Sequence, residues 1–159
     1  MGSDFFPKRA VEMFYWAAKE KRLSPRHVKN VLKYKRVVDV SCLIPFLRSE
    51  DGWTRRCAAQ AIGGAGRFGE IIKVAADETE KETLLAMLRV LFKSREGIEE
   101  LVAFLNSEDQ IVRETTIQMF RRAGRADCLM TLLFDTNDET VERVRGYMRE
   151  QDGKKESTD

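Results

Sequence analysis

Displaced by 58 positions, the chain falls on itself. Leu43 meets Leu101, Phe46 meets Phe104 and Leu47 meets Leu105; Ser49-Glu50-Asp51 meets Ser107-Glu108-Asp109, Arg55 meets Arg113, and Ala65-Gly66-Arg67 meets Ala123-Gly124-Arg125. Self-similarity at a fixed spacing restricts a chain to folds in which one small unit packs against copies of itself. The underlying period is 29. A weaker copy, 71–95, lies between the two strong ones, and a fourth spans 129–148. Thr54, Ala58, Ala61, Ile62 and Ala65 become Thr83, Met87, Val90, Leu91 and Ser94 one period on. Two periods on they become Val112, Thr116, Met119, Phe120 and Ala123. Each set runs i, i+4, i+7, i+8, i+11, one face of an α-helix.

The punctuation makes each copy a helix pair, A then B. Ser49-Glu50-Asp51-Gly52 and Ser107-Glu108-Asp109 carry turn and N-cap chemistry between A and B. Gly66 and Gly124 stand where helix B must stop, a place that favours glycine in the left-handed conformation. The expected fold is all-α, a right-handed superhelical solenoid of the HEAT/armadillo kind with about ten helices and no strand. Helix B should begin near Trp53 and Ile111. Ala58, Ala61, Ile62, Met87, Leu91, Met119 and Phe120 are expected to form its buried seam.

The string from Asp51 through Trp53, Arg55, Ala58-Ala59, Ala61-Ile62-Gly63 to Gly66 resembles the short HEAT repeat of phycobilisome-lyase-like proteins. That pattern runs Asp, two variable residues, Val, Arg, two variable, Ala-Ala, one variable, Ala-Leu-Gly, two variable, Gly. Asp109-Gln110-Ile111-Val112-Arg113 repeats its opening. The resemblance covers about residues 39–150. The second copy departs from it with Glu80 and Leu84 at the Asp and Arg positions; the fourth keeps Asp138 and Val141 but has Glu142 for Arg. The family implies a binding scaffold and says little about the ligand. It also implies a structural role for Arg55 and Arg113, paired with turn acids in a ladder between neighbours.

The chain divides on this reading into a basic, aromatic-rich helix pair at 1–38, four repeats at 39–150 and a flexible tail at 151–159. Residues 14–37 fit the period as a degenerate first copy. Ser24-Pro25 reads as an N-cap followed by proline in the first turn. Residues 1–36 hold ten Lys/Arg against three acids, a surplus of seven, whereas the whole chain is only +2, so the remainder is net −5. Arg26, Lys29, Lys33 and Arg36 fall within about 80° of one another on a helical wheel. Such a stripe can track phosphates or lie in solvent. In the last helix the inherited face would read Val141, Arg145, Met148, Arg149; the alternative Val141, Val144, Met148 suits a terminal cap.

Catalytic signals are few. His27 is the one histidine; acid–base and metal constellations usually need more. Gly63–Gly69 is glycine-rich but lacks the strand and Lys-Ser/Thr of a phosphate loop. Asp135–Glu139 opens like a calcium loop, yet Thr140 and Gly146 stand at the required Gly and Glu positions. Three cysteines, Cys42, Cys57 and Cys128, have no metal-type spacing and read as free buried thiols in a reducing compartment. No membrane-length apolar run or signal peptide is read, which points to the cytoplasm.

The expectation is therefore a non-catalytic protein-binding scaffold without cofactor or metal. It would take an acidic or amphipathic segment on the B-helix face, through Arg55, Arg56, Gln60, Arg113, Gln118, Arg121 and Arg122. Arg67 and Arg125 stand at the helix ends. Two alternatives are nucleic-acid-backbone binding by the basic helices and an accessory or lyase-like enzyme subunit. Phe5, Phe6, Phe14, Tyr15 and Trp16 exceed what one side of a short helix needs. Some of them either seal the core or dock a partner or second copy, making the chain a monomer or weak homo-oligomer.

Overall fold

The computed structural model describes residues 5–94, 98–134 and 137–157. The protein is all-α, with ten helices and no strand among the described residues. Seven are α-helices: α1 (Phe5–Lys19), α2 (Pro25–Lys33), α3 (Gly52–Gly64), α4 (Phe68–Ala75), α5 (Lys81–Lys93), α6 (Gln110–Arg122) and α7 (Asp138–Glu156). Three are 3₁₀ helices: η1 (Ser41–Arg48), η2 (Ile98–Asn106) and η3 (Ala126–Phe134). The chain divides into two compact units, Met1–Glu96 and Gly97–Asp159.

In the first unit three helix pairs build two layers. α1, η1 and α4 form one layer; α2, α3 and α5 form the other, with α3 packed between its two neighbours. The second unit repeats the plan with η2 and η3 against α6 and α7. The B helices α3 and α6 begin one residue before Trp53 and Ile111. Asp51 caps α3 by accepting from Thr54 N and Thr54 Oγ1, and Asp109 caps α6 by accepting from Ile111 N and Val112 N. Both helices stop at a left-handed glycine, Gly66 at φ +86° and Gly124 at φ +70°, where a Cβ would be strained.

The buried face is wider than the i, i+4, i+7, i+8, i+11 face expected from the sequence and turned from it. Ala58, Ala61, Ile62, Met87 and Phe120 have no exposed surface, and Leu91 is 2% exposed. Met119 is only half-buried and leaves the expected seam, and Ala123, at the end of the same expected helix face, is exposed. Leu84, Leu88 and Ile117 replace them, giving i, i+4, i+5, i+8 on α5 and α6. α3 is buried on two sides because it packs against its own A element, η1, and against α5 of the same layer, while α6 packs against η2 and η3. In η3 the buried residues Ala126, Leu129 and Leu132 recur every third position, as 3₁₀ geometry requires. On α7, Val141 and Val144 are buried while Arg145 and Arg149 are exposed. That helix runs on through Glu156, beyond the boundary expected at 150.

Gly63 and Gly64 set how closely the B layer packs. A Cβ on Gly63 would lie 2.1 Å from Val90 Cγ1 of α5, and one on Gly64 would lie 1.9 Å from Leu32 Cδ2 of α2. α3 therefore receives a side chain from each neighbour where it has none of its own. Trp53 adds a polar tie, donating from Nε1 to the Leu23 carbonyl at 2.8 Å. His27 completes the start of α2, its Nδ1 accepting from Ser24 N at 3.1 Å.

Phe120→Ala should destabilise the protein by about 3–5 kcal/mol, and Met119→Ala by only about 1 kcal/mol, because its side chain is half-solvated. Urea unfolding of the two variants measures the contrast, and equal losses would refute this register. Gly63→Ala should cost about 1–3 kcal/mol in spite of alanine's better helix propensity, because Val90 is stiff at χ1. Adding Val90→Ala should recover part of that loss, which thermal melts of the single and double variants would register.

Candidate functional site

The turn between A and B decides which basic residues are free to meet a ligand. Arg55 Nη1 donates to the Ser49 carbonyl at 2.8 Å, and Nε donates to Glu78 at 2.8 Å. Nη2 reaches Glu80 at 3.1 Å. The side chain of Arg55 is 15% exposed and that of Glu78 5%. Glu80 occupies the turn-acid position of the next copy, so Arg55–Glu80 is a rung between neighbours. Arg113 likewise donates to the Ser107 and Glu108 carbonyls, but among the described residues it forms no ion pair. Both arginines work inside the fold and are not offered to a ligand.

Other expected contact residues are also committed. Arg56 lies 3.7 Å from Glu80 and 3.8 Å from Glu82, and its guanidinium stands over the Trp53 ring. Gln118 donates to Tyr147 Oη at 3.2 Å, and Arg121 pairs with Glu150 at 3.2 Å while stacking over Tyr147 at 4.7 Å. Gln118–Tyr147, Arg121–Glu150 and Glu114–Arg143, the last at 2.7 Å, join α6 to α7 at a separation of 29 residues each time. The sequence period is thus a spatial contact in the second unit. Arg67 donates to Ser41 Oγ, and Arg125 pairs with Glu99 at the repeat-equivalent place and with Asp127. Of the seven contact candidates, Gln60 and Arg122 remain exposed and uncommitted.

The basic stripe is dispersed differently from the wheel. Arg26, Lys29 and Lys33 are exposed on α2, but the helix ends at Lys33, so Arg36 lies in the turn beyond it. Lys29 instead joins residues from other elements around a groove in the B layer of the first unit. This groove, of about 590 Å³, runs over Val28, Leu32, Gly63, Gly64, Ala86 and Val90. Lys29, Lys35, Arg89 and Lys93 rim it, with Gln60 between them, and no carboxylate lines it. Among the described residues none of these four cations forms an ion pair. Arg89 is Gln60 displaced by 29 positions. The repeat frame therefore carries the signal that locates it, as the weaker copy's equivalent of Gln60.

The aromatic segment splits. Phe14 is fully buried and Tyr15 packs edge-on to Phe46, at 5.5 Å between ring centroids. Phe5, Phe6 and Trp16 are more than half exposed.

The chemistry of the remaining groups is quiet. Cys57 is buried, and burial pushes its thiol up to about 11. Cys42 is exposed and Cys128 half-buried, contrary to the expectation that all three would be interior. The polar face of each short 3₁₀ element leaves those two at the rim. Asn137 caps α7 by accepting from Glu139 N and Thr140 N. Asp135 and Thr136, which would open the calcium-type loop, lie outside the described residues. Among the described residues no group of three His, Cys, Asp or Glu could hold a metal ion, and no helix is long and apolar enough to cross a membrane.

Comparison with protein-family models, with curated proteins and with solved structures finds no match for this chain.

The Arg143 guanidinium holds the Glu114 carboxyl below its usual 4.5. A depressed carboxylate stabilises the fold above its unfolded value, and that contribution is lost as the pH falls through the folded one. Glu114→Gln should therefore cost under about 1 kcal/mol at neutral pH, the pair being partly solvated, and less at an acidic pH below the usual carboxylate range. Denaturant titrations at the two pH values measure the difference; a cost independent of pH would contradict the pairing.

Proposed function

We propose that this protein is a non-catalytic scaffold of the HEAT-like repeat kind, and that its B-helix groove in the first unit takes an acidic, amphipathic segment of another protein. The observation that carries this reading is the groove rimmed by Lys29, Lys35, Arg89 and Lys93 with no carboxylate in its lining. Its apolar floor suits one face of an amphipathic helix, and its cations suit the carboxylates that flank such a face. Elsewhere on these helices arginines are neutralised by neighbouring Glu, as Arg55, Arg56 and Arg121 are. The groove is a place where positive charge is left uncompensated. Arg26, Lys33 and Arg36 extend that charge around α2, and give a nucleic-acid backbone its best argument as the alternative occupant.

Fluorescence anisotropy with a labelled acidic amphipathic peptide, built of Glu and Leu at helical spacing, tests the reading. Binding should weaken as salt is raised, and Lys29→Glu with Arg89→Glu should reduce affinity by roughly tenfold or more. A Lys-for-Glu version of the peptide should not bind. Equal or tighter binding of duplex DNA or RNA, lost in the same variant, would transfer the groove to nucleic acid. Absence of peptide binding at low salt would overturn the proposal.

A further inference from the structure

α1 carries two apolar faces, and among the described residues only one of them is buried. Pro7, Ala10, Val11, Phe14, Ala17 and Ala18 are buried. On the other side Phe5, Phe6, Met13 and Trp16 are 57%, 59%, 49% and 62% exposed. At 100° per residue these four, with Arg9 and Glu12 between them, occupy an arc of about 120°. A soluble helix ordinarily has a polar outer face; this one presents three aromatic rings and a methionine. The face shares no residue with the groove described above.

We propose that this face of α1 is a self-association surface, on which α1 of a second copy lies antiparallel about a two-fold axis. The order of residues is what singles out a second copy. If Arg9 is set opposite the partner's Glu12, then the partner's Arg9 falls opposite Glu12, and Phe5 of each copy meets Trp16 of the other. A single dyad between residues 10 and 11 satisfies all four pairings at once, as an isologous interface requires. Neither Arg9 nor Glu12 forms an ion pair within the chain among the described residues, so both are available. A shallow depression of about 590 Å³ beside Trp16, floored by Ala17 and edged by Arg22 and His27, accommodates the ring brought by the partner. The exposed parts of the four large side chains amount to roughly 400–500 Å² per copy, taking about 200 Å² for each whole side chain. That lies at the low end of specific interfaces, and the dimer is correspondingly weak, with dissociation on the order of micromolar.

Sedimentation velocity on the full chain over a dilution series reads the equilibrium. The expected result is reversible monomer–dimer exchange that Trp16→Glu abolishes. Arg9→Glu and Glu12→Arg should each weaken self-association by roughly tenfold, because each places like charges across the dyad. Mixing those two variants should restore association as a heterodimer, since one then carries two acids where the other carries two arginines. All three positions are exposed, so the variants should melt like the parent, and circular dichroism confirms their folding before the comparison. A chain that stays monomeric at every concentration overturns the proposal. So does a dimer indifferent to Trp16→Glu, or a pair of charge variants that does not recover on mixing.

Discussion

A guanidinium that reaches back from the first turn of helix B to the carbonyl just past the end of element A governs the geometry of both units. Arg55 does this to Ser49, and Arg113 to Ser107. The acid two residues after that serine caps the B helix from the other side. Carbonyls at the end of a helix and amides at the start of the next lack partners of their own. Satisfying both within one tight corner fixes the angle at which B leaves A, and with it the face that B turns inward. The apolar residues contribute most of the stabilising free energy; the corner determines where they point.

Much of this could be read in the chain before any coordinates. The period, the helix pairs, the glycine stops and the fully buried Ala61, Ile62, Met87 and Phe120 follow from spacing alone. The exact buried arc does not. A wheel records that Met119 and Ile117 are both apolar, but only the second layer decides that Ile117 is covered and Met119 half-open. Arg55 illustrates another limit. Its rung to Glu80, at the turn-acid position of the next copy, is the ladder that the resemblance implies, but Glu78 lies outside the motif and no spacing marks it as the closer partner. The groove was invisible for a related reason. Lys29 lies on α2, Lys35 in the turn after it, and Arg89 and Lys93 on α5, far along the chain, so no local motif unites them.

Charge along the chain misleads in one respect and informs in another. The surplus of basic residues in the first 36 positions suggests a single positive helix face. In the structure α2 ends before Arg36, and Lys29 turns toward cations from α5 that belong to a nearly neutral stretch of sequence. What matters physically is compensation. Arg55, Arg56 and Arg121 sit beside glutamates and contribute mainly to fastening neighbouring helices. Lysines and arginines around the groove have no such neighbours, so their field extends into solvent and is felt by whatever approaches.

The 3₁₀ character of η1, η2 and η3 has a consequence for scale. A 3₁₀ helix climbs about 2.0 Å per residue, so eight or nine residues span about 16–18 Å. A thirteen-residue α-helix such as α3 or α6 climbs about 1.5 Å per residue and spans about 20 Å. The stretched element thus nearly matches the length of its partner with two-thirds of the chain. In the three copies that begin with η1, η2 or η3, the drawn-out first helix lets a 29-residue repeat close two layers, at the cost of less linear hydrogen bonds; the copy that begins with α4 has a shorter first helix instead. Lengthening such an element by one residue would turn every later side chain on it by about 120°, so insertions should be better tolerated in the turns than within these short helices.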